Sequence, residues 1–503
     1  MHDIKETAEK NPFHAWIEPT SRCNTKCTYC EHYYSNFGED MPRGLYHKIR
    51  KAIFPNLERA ELIGYGEPLI ADIFDEMFND CVENDIEVYT TTNGLMLLKE
   101  GFLEKFAKEN ITICLSIDGA RKETAEFARR YIPFEKTIRI LEKIKEVGDE
   151  AGNEKRFSIR FNVVVMKKNI GDLPDLVRMA KKYGADQMII FPLAAEDQLE
   201  LLRGQSIMDN PELVAEPFIR AWELAVKFKI VFYVPSIFHE LVLMDAKYHG
   251  GGFPWFRKLF KIVFLKIRET GLIYIPGKVR ERLSFLGPLA RKCVFPWEST
   301  YFASDGKVFP CCILGDHCMG DMKSQPWEEI WNGQQYRNLR RTIHSWNPPD
   351  VCRHCGLPDG INGGDDHRFC RFFEKFEETF VPLDSPELEM EEGFYPLEYH
   401  EDKPHHYWMA KQGWFRIRKR KNAKFLRLKI SPVALGDLPN PGICRINNIH
   451  EHPFDDSCHR LHFPVKMIKK QCLDISLTME NVYHPKNDER NLSLPITGIS
   501  WLS

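Results

Sequence analysis

The strongest constraint on this chain is an alternation, up to residue 195, of short β-rich apolar runs with segments of helical periodicity. Strand signals fall at Phe13–Ile17, Ala60–Tyr65, Ile86–Thr92, Ile111–Ile117, Phe157–Val165 and Gln187–Phe191. Between them apolar residues recur at helical spacing. In the segment 173–183, for example, Leu173, Leu176, Val177 and Ala180 fall at i, i+3, i+4 and i+7. Repeated strand–helix units give parallel strands with helices outside, as a barrel or an open sheet. In such folds the residues that do chemistry come from the loops at the C-terminal ends of the strands.

The loop after the first strand carries Cys23-Asn-Thr-Lys-Cys27-Thr-Tyr29-Cys30, a C-x3-C-x2-C arrangement. Three thiolates on a short loop can hold three irons of a [4Fe–4S] cube and leave the fourth iron for a small molecule. A structural zinc site is the competing reading, but it normally closes with four ligands, and beside these cysteines only His32 is at hand. The chain has 503 residues and fifteen cysteines, Met1–Lys10 is polar, and no apolar run is long enough to span a bilayer. Those features point to reduced thiols in the cytoplasm. Cys81 and Cys114 sit inside apolar elements and read as small buried hydrophobes. Composition is that of a globular protein, with 43% hydrophobic and 28% charged residues, and the net charge of −3 gives no reason to expect nucleic acid.

The cysteine spacing after a first strand resembles the radical S-adenosylmethionine (SAM) superfamily, and the resemblance extends over residues 12–195. Gly64-Tyr65-Gly66-Glu67-Pro68 looks like the family's G-G-E-P segment, with Tyr65 in its variable place. The resemblance implies that this backbone and Glu67 hold the methionine amino group. Thr91-Thr92-Asn93-Gly94 and Ser116-Ile117-Asp118-Gly119 match segments that lie near the ribose and methionine, and Tyr29 takes the aromatic position beside the adenine. The implied SAM contacts are therefore Tyr29, Gly64, Gly66, Glu67, Pro68, Thr92, Asn93, Ser116 and Asp118, with Cys23, Cys27 and Cys30 on the cluster. The implied fold is α/β, a partial (β/α)6 barrel. The implied chemistry is reductive cleavage of SAM to methionine and a 5′-deoxyadenosyl radical that takes hydrogen from substrate, with a flavodoxin or ferredoxin as electron donor.

A second cysteine set follows in Cys293-Val-Phe-Pro-Trp297, Gly306-Lys-Val-Phe-Pro-Cys311-Cys312 and Cys352-Arg-His-Cys355. Asp305-Gly306 supplies a hairpin turn. Together with Gly320-Asp321 and Trp327-Glu-Glu-Ile-Trp331-Asn332, the stretch resembles a twitch-type or shortened SPASM domain. That resemblance implies one auxiliary [4Fe–4S] cluster on Cys293, Cys311, Cys352 and Cys355, with Cys311 preferred to Cys312 and with His317 and Cys318 as bystanders. The spacing alone would also permit zinc.

The expected organisation is a radical SAM core at 12–195, a helical insert at 196–290, the cluster domain at 291–375, an acidic linker at 376–395 and an all-β sandwich at 396–503. Trp255–Arg268 reads W-F-R-K-L-F-K-I-V-F-L-K-I-R, a basic amphipathic helix. A core-facing role is the preferred reading, and peripheral membrane contact is the alternative. The β tail faintly resembles modules of glycan-modifying enzymes, and His450, His452, His459 and His462 in it set no clear metal geometry. Three substrate readings compete. A carbohydrate or cell-envelope precursor comes first and a ribosomal peptide second, although the short stretch before Phe13 leaves no room for the leader-binding domain some peptide enzymes carry. A non-catalytic iron–sulfur scaffold is third. The sequence names no catalytic acid or base.

Overall fold

The computed structural model describes most of residues 6–233, 293–352 and 378–502; the remainder, including 234–292 and 353–377, lies outside the described residues. The chain divides into two compact units. One comprises residues 11–276 and 300–307, and the other residues 1–10, 277–299 and 308–503.

The first unit is built on parallel strands β1 (His14–Ile17), β2 (Arg59–Leu62), β3 (Glu87–Thr92), β4 (Ile111–Ser116), β5 (Ser158–Val165), β6 (Gln187–Pro192) and β7 (Val231–Tyr233). Each pairs in parallel with the next. A further strand, β8 (Ser299–Phe302), lies on the free side of β1, so the order runs β8-β1-β2-β3-β4-β5-β6-β7. The registers Ile17↔Leu62, Leu62↔Thr90 and Thr92↔Leu115 bring the C-terminal ends of β1 to β4 out along one edge.

Side-chain alternation explains why these segments are strands with one face covered. In β5, Ile159, Phe161, Val163 and Val165 are buried, while Ser158, Arg160, Asn162 and Val164 are partly exposed on the other face. The covering helices show the complementary pattern. Leu45, Tyr46, Ile49 and Ile53 are the buried stripe of α1 (Arg43–Ile53), and Leu173, Leu176, Val177 and Ala180 are among the buried residues of the helix Leu173–Tyr183.

The expected α/β class is observed, with one difference. The segment 196–290, read as a helical insert, contains the helix Ala215–Phe228 and then β7, which pairs with β6. The strand–helix repeat therefore continues to Tyr233, giving seven parallel strands among the described residues. Three residues of strand are too few to show an alternating pattern. Trp255–Arg268 lies outside the described residues. No helix among those described is long and apolar enough to cross a membrane.

In the second unit two antiparallel sheets enclose a common core. One sheet contributes Leu426, Leu428, Leu461 and Ile496, and the other Phe415, Ile417, Leu473 and Ile475. The segment 376–395, expected as an acidic linker, belongs to this core. Glu378–Val381 pairs with Leu494–Leu502, and Leu388–Met390 pairs with Gln412–Arg418. Val381, Leu383 and Leu388 are buried in it, whereas Glu389 faces out. Asp384, Glu387, Glu391 and Glu392 lie outside the two short strands, and with Glu389 they give the stretch its linker-like composition.

Ahead of these sheets, the helix Trp327–Trp331 buries Trp327, Ile330 and Trp331. Arg340, itself fully buried, donates to the carbonyls of Pro296 (2.8 Å) and Glu6 (3.2 Å) and lies over the Trp331 ring. Trp331 Nε1 donates to the carbonyl of Lys10 (2.8 Å), and Asn332 pairs with both backbone groups of Ala8. The N-terminal residues 6–10 are thus held within the second unit.

Candidate functional site

The loop after β1 carries Cys23, Cys27 and Cys30. Cys27 is buried and the other two are partly exposed. Three fastenings hold it over the neighbouring strand ends. The Glu67 N–H donates to the Arg22 carbonyl (2.8 Å), tying it to the loop after β2. Asn93 Nδ2 donates to Asn24 Oδ1 (2.7 Å), tying it to the end of β3. Tyr29 Oη donates to Asp118 Oδ2 (2.6 Å), tying it to the end of β4. A Cβ added to Gly66 would lie 2.3 Å from the Arg22 carbonyl oxygen and 2.5 Å from that of Thr20. Only glycine lets the two loops approach so closely.

Glu67 is buried at the centre of this arrangement. Its Oε1 accepts from Thr92 Oγ1 (2.6 Å) and the Leu69 N–H (3.3 Å), and its Oε2 accepts from the Asn93 N–H (2.7 Å). Burial pushes its carboxyl up to about 6 against the opposing pull of the Asn93 and Thr92 donors. A carboxylate offers four acceptor positions, and these three donors leave one on Oε2 for a cation. Gly94 sits at φ +83° and lets the chain turn at once, so that its N–H donates back to Thr92 Oγ1 (2.9 Å).

Asp118 is likewise buried, and its oxygens are engaged within the protein. Oδ1 accepts from the Val164 N–H (2.6 Å), while Oδ2 accepts from Tyr29 and lies 2.6 Å from Arg129 Nε. Burial alone would lower the Arg129 pKa, but Asp118, Tyr29 and Cys27 together outweigh it and hold the guanidinium above its ordinary range. Arg129 Nη1 then donates to Cys27 Sγ (3.7 Å). Burial raises the Cys27 thiol to about 11, with Arg129 pulling it down. Thr25 Oγ1 lies 3.4 Å from Cys23 Sγ and 3.9 Å from Cys27 Sγ.

A guanidinium and a hydroxyl facing the sulfurs of a three-thiol loop fit an anionic, sulfur-ligated group such as an iron–sulfur cluster. Among the described residues no three His, Cys, Asp or Glu side chains close around a single metal ion. Of the residues picked out from the sequence, Glu67, Thr92 and Asn93 meet directly, and Tyr29 meets Asp118. Gly64, Gly66 and Pro68 follow β2, and Ser116 is the last residue of β4. Cys81 and Cys114 are buried within their elements, and burial raises both thiols to about 12.

Two residues at the site escaped the sequence reading. Arg129 lies on no strand end, and only the fold brings it to Cys27. Glu18 follows β1 directly and is buried, with its carboxylate shared between two other segments. An acidic residue at the end of a wholly buried strand was the signal available for it.

In the second unit Cys293, Cys311 and Cys352 are each buried, and Cys312 is exposed. Cys318 is buried and donates to the Gly320 carbonyl (3.3 Å), and His317 is buried beside it in sequence. Cys355 lies outside the described residues. In the first unit the Asp305-Gly306 turn forms as expected. Gly306 adopts φ +93°, its N–H donates to the Ala303 carbonyl (3.0 Å), and the Lys307 N–H donates to Asp305 Oδ1 (3.0 Å).

Comparison with known proteins places these features in context. Residues 17–191 match the model of the radical SAM superfamily, and residues 293–356 match that of the iron–sulfur cluster-binding domain called SPASM. The first implies a [4Fe–4S] cluster and SAM, the second auxiliary iron–sulfur ligation. The mycofactocin maturase MftC of Mycolicibacterium smegmatis is 25% identical over 382 residues, which is 75% of this chain and 82% of that protein. A tungsten-containing aldehyde ferredoxin oxidoreductase cofactor-modifying protein of Pyrococcus furiosus is 29% identical, covering 69% of this chain and 88% of that one. Among solved structures, SuiB of Streptococcus suis bound to the precursor peptide SuiA aligns with a TM-score of 0.48 at 18% identity, covering 72% and 73% of the two chains.

The Asp118–Arg129 pair yields a prediction. Asp118→Ala strands a guanidinium whose side chain is only 14% exposed, at a cost of about 3 kcal/mol. Thermal unfolding should show that loss, and adding Arg129→Met should restore part of it by removing the unpaired charge.

Proposed function

We propose, for a chain that carries a radical SAM domain and a SPASM iron–sulfur cluster-binding domain, that the strand-end loops of its first unit bind SAM beside a [4Fe–4S] cluster and that its substrate is a ribosomally made peptide. The observation that carries the first part is the fastening of the Cys23–Cys30 loop to Glu67, Asn93 and Asp118, each at the end of a different strand or in the loop that follows it. When bound and reduced by an external donor such as a flavodoxin or ferredoxin, the cluster would supply the electron for reductive cleavage of SAM, whose radical product would take hydrogen from substrate.

In this reading the chain's own residues bind and orient. Cys23, Cys27 and Cys30 ligate the cluster. Glu67 offers its remaining acceptor position to the methionine ammonium, which fits a buried carboxylate already held rigid by three donors. Thr92 and Asn93 fix Glu67 rather than spending their own groups on ligand. Asp118 orients Tyr29 and Arg129 and, with three donors on it, keeps one acceptor position on Oδ1. Cys293, Cys311, Cys352 and Cys355 hold the auxiliary cluster.

The peptide reading is supported by the likeness to a maturase over most of both chains. A carbohydrate or cell-envelope precursor finds no comparable support among the relatives. Anaerobically reconstituted, reduced protein should form 5′-deoxyadenosine at a rate that rises with a precursor peptide encoded beside the gene, and Cys27→Ala should abolish it. Stimulation by a nucleotide sugar and not by the peptide would return the substrate to the carbohydrate class.

The raised carboxyl of Glu67 sets a pH dependence. Below about pH 6 it carries a proton and no longer attracts an ammonium. SAM affinity should fall as pH drops through 6, by up to about tenfold per unit, and Glu67→Gln should flatten that profile. Iron content should separate the two clusters. A double variant, Cys293→Ala with Cys311→Ala, should lower bound iron from about eight atoms per chain to about four.

A further inference from the structure

Glu18 stands outside the motifs that define the site, yet its carboxylate gathers donors from two segments far apart in sequence. Its Oε1 accepts from the Tyr65 N–H (2.7 Å), inside the segment Gly64–Pro68, and from Tyr301 Oη (3.2 Å). Its Oε2 accepts from the Ser304 N–H and from Ser304 Oγ, both at 2.9 Å. The backbone agrees, because the Glu18 N–H donates to the Phe302 carbonyl (2.9 Å) across the β1–β8 pairing. All of these residues lie within the first unit. Gly64 closes over the same carboxylate, since a Cβ there would fall 2.2 Å from Glu18 Oε1 and 2.3 Å from its Cγ. Four donors fill the four acceptor positions of a carboxylate. Glu18 has none left for a ligand, so its role is to place other groups.

We propose that Glu18 is a positioning residue that sets the SAM-binding loop at Tyr65–Glu67 from the Thr300–Lys307 hairpin, so that SAM affinity depends on how that hairpin is seated. The proposal rests on the reading that Gly64–Pro68 binds SAM. The link runs from Ser304, through the Glu18 carboxylate, to the Tyr65 N–H, and the next two residues are Gly66 and Glu67. In sequence the hairpin's outgoing arm leads on to Cys311. The segment that fixes the SAM loop is therefore continuous with the cysteine-rich stretch.

Glu18→Gln tests the charge without removing bulk. The amide keeps one acceptor oxygen and turns two N–H groups toward the other pair of donors. Tyr301 and Ser304 hydroxyls can rotate to accept, but the backbone N–H of Tyr65 or of Ser304 cannot, so one of them loses its partner. Ser304→Ala probes the same link from a position remote in sequence from the SAM loop and keeps the protein testable if Glu18→Gln folds poorly. The measurement is the SAM dissociation constant, read from the change in the electron paramagnetic resonance signal of the reduced cluster. It is made on holoprotein matched to wild type in iron content, with melting temperature recorded in parallel.

Glu18→Gln should weaken SAM binding on the order of tenfold and Ser304→Ala about threefold. The double variant should weaken it by less than the product of the two, as expected for residues acting through one link. Variants that lose melting temperature or iron yet bind SAM normally per cluster would overturn the proposal by reducing Glu18 to a structural tie. Fully multiplicative effects would also overturn it. A wild-type cluster whose signal ignores added SAM would overturn the SAM-site reading itself, and this inference with it, and is distinguished because no variant is then needed to see it.

Discussion

Two buried carboxylates, one after β1 and one after β2, reach sideways into neighbouring segments. Glu67 takes donors from the end of β3 and from its own loop, and Glu18 takes them from the loop after β2 and from the hairpin after β8. A loop at the end of a parallel strand has unpaired backbone donors and no regular partner for them. Here acidic side chains accept from those donors, and the desolvation of each carboxylate is offset by the number of hydrogen bonds it receives. The cysteine loop and the Gly66–Glu67 segment hold each other in place, because the Arg22 carbonyl accepts from the Glu67 N–H.

The parallel architecture was legible because β5 and the helix Leu173–Tyr183 each bury one periodic face, and such periods survive in a single sequence. The short strand Val231–Tyr233 was not, since three residues carry no period. The strands at 378–390 were hidden for a further reason. They are only four and three residues long, and the acids Asp384, Glu387, Glu391 and Glu392 in the turns around them make the stretch look like solvated coil.

At the candidate site the sequence disclosed residues by motif, and the structure shows how they hold one another. Tyr29 and Asp118, expected at the ligand, also bond each other, and Asp118 pairs with Arg129. Thr92 and Asn93, expected there too, donate to Glu67. Arg129 carried no signal in the sequence and Glu18 only a faint one, because each acts through partners far away in the chain. A buried acid surrounded by donors looks in sequence like any other acid.

The division of the chain places Thr300–Lys307 with the parallel sheet although most of its sequence neighbours belong to the other unit, and it places residues 6–10 with the other unit although the sheet begins at His14. No single cut therefore releases a self-sufficient core. A fragment ending near Tyr233 would keep every cysteine of the first loop but leave β1 as a bare sheet margin, open to pairing with another copy of itself, and the acid beneath it stripped of three of its four donors. For this protein, dissection by truncation would create the stickiness it was meant to avoid. The smallest piece worth making has to bring the distant hairpin along, spliced in by a designed connection.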